Sequence, residues 1–186
     1  MTYKTHLSTG LLFSSIVFLL IYKIELSPVL ILMLIIATVI GSSAPDLDTP
    51  TGELWDKIPA GGIISHIVNP IFIGGHRHLS HSVIGLGIFS ALFYLLIKLI
   101  HFDPIILNSS FIILSFAIGY LSHLIADMFT ERGVPILFPL GYHFGIPPDP
   151  FGKIRIKTGK WFENLIIYPL VNLGIIFVIY SYLSSP

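Results

Sequence analysis

SHLIADMFT, Ser122–Thr130, decides how this chain is read, because it sets an imidazole and a carboxylate near the end of an apolar run long enough to cross a membrane. His123 and Asp127 are four residues apart, so on a helix they stand on one face and converge on one point. Ionisable groups at membrane depth are costly and mark a functional site with a partner nearby. The expected partner is a metal ion.

Working outward, composition supports the membrane setting. Hydrophobic residues make up 54% of the 186 residues and charged residues 11%, against about 25% charged in a soluble domain; mean hydropathy is +0.87. The chain reads as one all-α integral membrane domain over residues 1–186, a polytopic bundle of about five spans. It has no cysteine, so a metal must be held by imidazole and oxygen ligands. A net charge of zero and the lack of a phosphate-binding glycine loop give no reason to expect nucleic acid.

Five apolar runs are expected as helices. Leu7 to Tyr22 is the first; Lys4 resembles a signal-peptide n-region, but no small-x-small cleavage site follows, so it is read as retained. Pro28 starts the second, which stops at Pro45 because proline cannot continue it. After PDLD (Pro45–Asp48), residues 49–82 form a long Gly- and Pro-rich connection ending in GGHRHLSHS. Val83 to Ile100 is the third helix, Ile106 to Phe129 the fourth and Leu165 to Leu183 the fifth, with Pro169 as a kink. The second long connection, 131–163, ends in KIRIKTGKW, whose alternation suggests a short hairpin at the membrane surface.

With five spans, both long loops and the N-terminus fall on one side. So do His6, PDLD, the HRHLSH cluster, the end of the fourth helix and Glu163. Eight of the ten basic residues lie on that side. The positive-inside rule then makes the N-terminus and the polar cluster cytoplasmic and the C-terminus external.

This order of features, with His6 before the first helix, PDLD after the second, HRHLSHS before the third and GYLSHLIADMFTERGVPILFP (Gly119–Pro139) across the end of the fourth, resembles the YdjM family, inner-membrane proteins described as metal-dependent hydrolases. The resemblance covers most of the chain and implies a functional set of His6, Asp46, Asp48, His76, Arg77, His81, His123 and Asp127, with Thr130 and Glu163 as further members. HxxxD on a helix with an upstream PD is more distantly similar to zinc-dependent phospholipase C, a likeness that points to phosphoester chemistry.

Each residue also has a plainer reading. His123 and Asp127 are metal ligands or a buried pair joining helices. Asp46 and Asp48 are a ligand with a supporting carboxylate or general base, or a solvated helix end. By spacing alone His78 and His81 pair as well as His76 and His81; the family resemblance favours His76. Arg77 suits a phosphate or carboxylate, or is a topology-setting charge. Ser80 and Ser82 can cap the third helix. Glu163 is a ligand, a base, or a favourable charge at a helix start. His66, His101 and His143 have no supporting spacing, and Trp55, Trp161 and Tyr142 read as interfacial aromatics.

The expectation is a cytoplasm-facing site with one or two divalent ions, Zn first and Mn, Fe or Co also suited. His6, Asp46, His76, His81, His123 and Asp127 are the candidate ligands, and Asp48, Arg77 and Glu163 the candidate catalytic groups. The substrate expected is a lipid or lipid-linked phosphoester, cleaved by activated water. A metal transporter and a scaffold with a structural metal are the alternatives; the sequence sets no oligomeric state.

Overall fold

In the computed structural model the described residues are 1–23, 27–49, 53–56, 59, 61–68, 78–99 and 109–184. They form α1 (Tyr3–Ser15), α2 (Pro28–Ser43), α3 (Glu53–Asp56), α4 (Gly61–Val68), α5 (Val83–Leu99), α6 (Ser109–Met128) and α7 (Tyr168–Leu183). No strand forms among the described residues; Thr130 with Ile156 and Val134 with Phe144 make isolated bridges. A π-helical stretch, Ile16–Ile21, extends α1, a 3-10 turn, Ala44–Asp48, extends α2, and a second π stretch, Glu163–Ile167, leads into α7.

With these extensions four apolar helices are long enough to cross a membrane, Tyr3–Ile21, Pro28–Asp48, Ser109–Met128 and Glu163–Leu183, and Val83–Leu99 is a shorter apolar fifth. At 1.5 Å per residue, α6 is about 30 Å long, matching a hydrocarbon core of roughly that thickness. Large apolar side chains remain exposed on the outer faces of α5 and α7, among them Leu92, Leu95, Leu173 and Ile176. That is the surface expected where lipid is the solvent.

The α2–α6 pair is the spine; α1 packs on both, α5 on α6 and α7 on α1. Glycine explains how closely α2 and α6 approach. A Cβ on Gly41 would strike the Phe116 carbonyl, and one on Gly119 the Thr38 carbonyl. Small residues at such crossings let backbones meet where burial in lipid offers no hydrophobic drive. Phe116, Tyr120, Leu124, Leu34 and Ala37 fill the rest of the core.

Several sequence expectations are corrected. The first helix begins at Tyr3, not Leu7, so His6 lies inside its first turns. The second α-helix ends at Ser43, just before Pro45 as expected, and a 3-10 turn carries the chain on to Asp48. The first long connection contains α3 and α4. KIRIKTGKW forms no hairpin. A 3-10 turn, Phe151–Ile154, and backbone bonds from Ile156 to Phe129 and Glu131 lay that segment across the end of α6 instead. At Pro169 the irregularity is the π stretch just before it, and Pro169 itself sits in the first turn of α7. Trp55 is buried rather than interfacial, whereas Trp161 and Tyr142 are exposed.

Candidate metal centre

Three helices carry polar stripes at four-residue spacing: His6, Gly10 and Ser14 on α1; Thr38, Ser42 and then Asp46 on α2 and its extension; Ser115, Gly119, His123 and Asp127 on α6. They stack in layers. Deepest in the bundle, Ser14, Thr38 and Ser115 join through hydroxyl bonds of 2.8 and 2.7 Å. In the next layer Gly10 and Gly119 lie against Ser42. The glycines let the three helices close up, so the ligand-bearing ends of all three stripes meet in the last layer.

There His6, Asp46, His81, His123 and Asp127 gather. His81 Nε2 lies 3.8 Å from Asp46 Oδ1 and 3.8 Å from Asp127 Oδ2. His123 Nε2 lies 3.7 Å from Asp46 Oδ1 and 3.9 Å from Asp127 Oδ2. Two imidazole nitrogens thus alternate with two carboxylate oxygens. Ligands of a tetrahedral Zn at about 2.0–2.1 Å stand roughly 3.3 Å apart, a few tenths of an ångström closer, a difference that small side-chain rotations close. His6 Nε2 is 3.3 Å from Asp127 Oδ1, its ring stacks on His123 at 3.6 Å, and the Met1 amino group also bonds Asp127. Two overlapping groups result, His6/His123/Asp127 and Asp46/His81/His123, each able to hold a metal ion.

The donor chemistry fits a metal. His123 Nδ1 lies 2.8 Å from the Ser42 carbonyl, which can only accept, so this nitrogen carries the proton. Nε2 is left with a lone pair, and it is buried without a hydrogen-bond partner. An orphaned buried acceptor is costly unless something binds it, and a backbone-fixed tautomer is how ligating histidines are oriented. His81 is held similarly, its Nδ1 lying 3.1 Å from Ser80 Oγ and 3.5 Å from Asp48 Oδ2. Ser80 donates to Asp48, and Tyr120 donates to the Ser80 carbonyl. Of the two PDLD carboxylates, Asp48 is buried, while the Asp46 side chain is 26% exposed and forms the open side of the cluster.

The model of the YdjM inner membrane protein family matches residues 1–184. The chain belongs to that family. Among YdjM-type relatives, the inner membrane protein YdjM of Escherichia coli K12 is 34% identical over 103 residues, 55% of this chain and 47% of that protein. YdjM of Shigella flexneri matches to the same extent. The chain therefore spans about half the length of these two relatives. The uncharacterized protein YvsG of Bacillus subtilis is 28% identical over 167 residues, 90% of this chain and 88% of that protein. No solved structure matches, and none of these comparisons brings out the distant likeness to zinc-dependent phospholipase C.

The remaining residues of the YdjM-like pattern sort by position. His76, Arg77 and His101 lie outside the described residues. His78 packs its ring against Phe138 and is not in either ligand group. Ser82 caps α5 through Gly85 N, as expected, whereas Ser80 serves Asp48. Thr130 is buried and bonds the Asp127 carbonyl, closing the end of α6. Ser80, His81 and Thr49 surround the Asp48 carboxylate. Glu163 is in neither ligand group. It is fully buried, but its carboxylate accepts from Thr2 N at 2.6 Å, Thr2 Oγ1 at 2.9 Å and Gly159 N at 2.7 Å, tying the start of α1 to the chain before α7. His66 and His143 are exposed.

Ser42 and Tyr120 went unnoticed in the sequence. The four-residue spacing of Thr38, Ser42 and Asp46 was the available signal for Ser42; no such spacing marks Tyr120.

Proposed function

We propose that this YdjM-family protein is a membrane-bound metal-dependent hydrolase working at the cytoplasmic surface on a lipid or lipid-linked phosphoester. One observation carries the reading: the buried His123 Nε2, its tautomer fixed through Ser42, faces the carboxylate oxygens of Asp46 and Asp127. Asp46, His81, His123 and Asp127 would hold a divalent ion, with His6 beside Asp127 as a further ligand or the start of a second site. A bound ion of this kind supplies Lewis acidity and brings the pKa of a coordinated water close to neutral.

The chain's own groups do the rest. Asp48 and Ser80 keep His81 Nε2 turned inward. Ser42 does the same for His123. The second carboxylate oxygen of Asp46, on the open side, would take a proton from water. Arg77, four residues before His81 in sequence, is assigned to the substrate's anionic group. The position of the cluster at one end of the spans favours chemistry at the membrane surface over transport, for which ligands belong near the midplane. The five-span reading of the sequence puts eight of the ten basic residues on the cluster's side, which supports a cytoplasmic setting.

The test is hydrolysis of phospholipids and polyprenyl phosphates by purified protein supplied with Zn, Mn or Co. Turnover that falls at least a hundredfold in both His123→Ala and Asp127→Ala supports the proposal. Metal flux in proteoliposomes without turnover would replace it with transport. Unfolding on metal removal with no hydrolysis would replace it with a scaffold role.

A further inference from the structure

A cavity of about 430 Å³ opens beyond the end of α6, lined by Glu131, Arg132, His143, Asp149, Lys153 and Arg155. It is of a size that takes a small ligand, and none of the five cluster residues lines it. The second long connection builds it. Ile146 N donates to the Met128 carbonyl at 2.7 Å, Ile156 N to the Phe129 carbonyl at 2.9 Å, and Glu131 N to the Ile156 carbonyl at 3.2 Å. These bonds tie the loop across the last turn of α6.

Depth follows from that tie. One span ends at Met128 and the next starts at Glu163, so the whole lining belongs to a segment held between two span ends at one membrane face. The polar layer outside the hydrocarbon is roughly 5–8 Å thick on each side. A cavity that begins three residues past Met128 stands in the layer that holds lipid phosphates.

The lining selects an anion. Arg155 is its fixed part, only 8% exposed, with Nε donating to the Pro147 carbonyl at 2.7 Å and Nη2 to Asp149 Oδ1 at 3.3 Å. A Cβ on Gly145 would strike the guanidinium and one on Gly152 would crowd it, so both glycines make room for the fork. Its Nη1 has no partner among the described residues. Of the two carboxylates, Asp149 is paired with Arg155 and Glu131 with Lys157 at 3.8 Å. Arg132 and Lys153 are exposed and have no ion-pair partner among the described residues. Theirs is the uncompensated charge.

Apolar side chains name the source of the anion. Tyr142 precedes His143, Phe151 follows Pro150, and Ile154 sits between Lys153 and Arg155; the three are 72%, 64% and 76% exposed. Large apolar groups interleaved with basic ones suit the surface of an anionic bilayer. Dissolved phosphate has no use for them.

We infer that this cavity seats the phosphate of an anionic lipid's head group. The Arg155 fork and the charges of Arg132 and Lys153 meet the phosphate, while Phe151 and Ile154 rest in the bilayer surface around it. The site goes beyond the hydrolase reading, since it holds a lipid whether or not one is cleaved.

The probe is phosphatidylglycerol with a diazirine on its glycerol head group, a minor component of phosphatidylcholine vesicles containing the full-length protein. After illumination, labelled peptides are mapped by mass spectrometry. Label should concentrate at residues 131–132 and 149–155, and unlabelled phosphatidylglycerol should compete where inorganic phosphate does not. At about fivefold per basic residue, Arg132→Ala with Lys153→Ala cuts the label at least tenfold. Lys153→Glu, a single change at an exposed position, cuts it at least fivefold. Lys4→Ala with Lys160→Ala removes the same charge outside the cavity and leaves the label unchanged. Label that survives Lys153→Glu, or falls equally in the Lys4/Lys160 control, would overturn the inference. Competition by inorganic phosphate as effective as by phosphatidylglycerol would replace the lipid with a free anion.

Discussion

Replacing Asp48 with asparagine tests how the cluster is supported. The Asp48 carboxylate is buried, accepts from Ser80, and lies 3.5 Å from His81 Nδ1. Asparagine keeps the volume but removes the charge that orients the imidazole and strengthens it as a donor. Losing such a supporting partner weakens metal affinity by about 10–100-fold, roughly 1.4–2.8 kcal/mol at ~1.4 kcal/mol per factor of ten. The assay is competition against a fluorescent zinc chelator in detergent, with circular dichroism confirming helical content. Ser80→Ala, which leaves the carboxylate in place, falls between Asp48→Asn and wild type. Wild-type affinity in a folded Asp48→Asn protein would refute the supporting role. A complete loss equal to that of His123→Ala would make Asp48 a ligand.

Glu163→Gln presents an amide group to three donors that now share a carboxylate, so it lowers stability by about 1.5–3 kcal/mol, read as an earlier thermal unfolding midpoint with metal stoichiometry retained. Gly119→Leu, whose side chain has no room against Thr38 and Ser42, separates α2 from α6. It should abolish metal binding and sharply reduce folded yield, where Gly87→Leu, which has open space, does neither. Because the chain has no cysteine, single substitutions report topology cleanly. With the cluster cytoplasmic, Lys157→Cys reacts with an impermeant maleimide only after the membrane is opened, and Ser184→Cys reacts in intact cells; the reverse pattern inverts the orientation.

The spans were legible because lipid imposes a simple demand, long apolar runs whose backbone is satisfied internally, and Pro28 with Ser27 marks the start of α2 as the chemistry of helix ends requires. The His123/Asp127 pair was legible for a similar reason, since four-residue spacing on a helix is local geometry. What sequence could not order was the division of labour between neighbours. Asp46 and Asp48 are two residues apart, and only the 3-10 turn after α2 decides that one faces the cluster and the other faces Ser80 and His81. Glu163 falls at the predicted end of the bundle, yet the nearby donors of Thr2 and Gly159 claim its carboxylate. Tertiary contacts, not local pattern, made both choices.

Elemental analysis of the detergent-purified protein decides whether the cluster holds a metal, with His123→Ala, Asp127→Ala and the exposed control His143→Ala measured beside wild type. Wild type and control should carry about one or two equivalents of a divalent transition metal, and the two cluster variants should lose it. Wild-type protein that holds no metal after reconstitution with Zn, Mn or Co, or cluster variants that keep it, would rule out the metal centre.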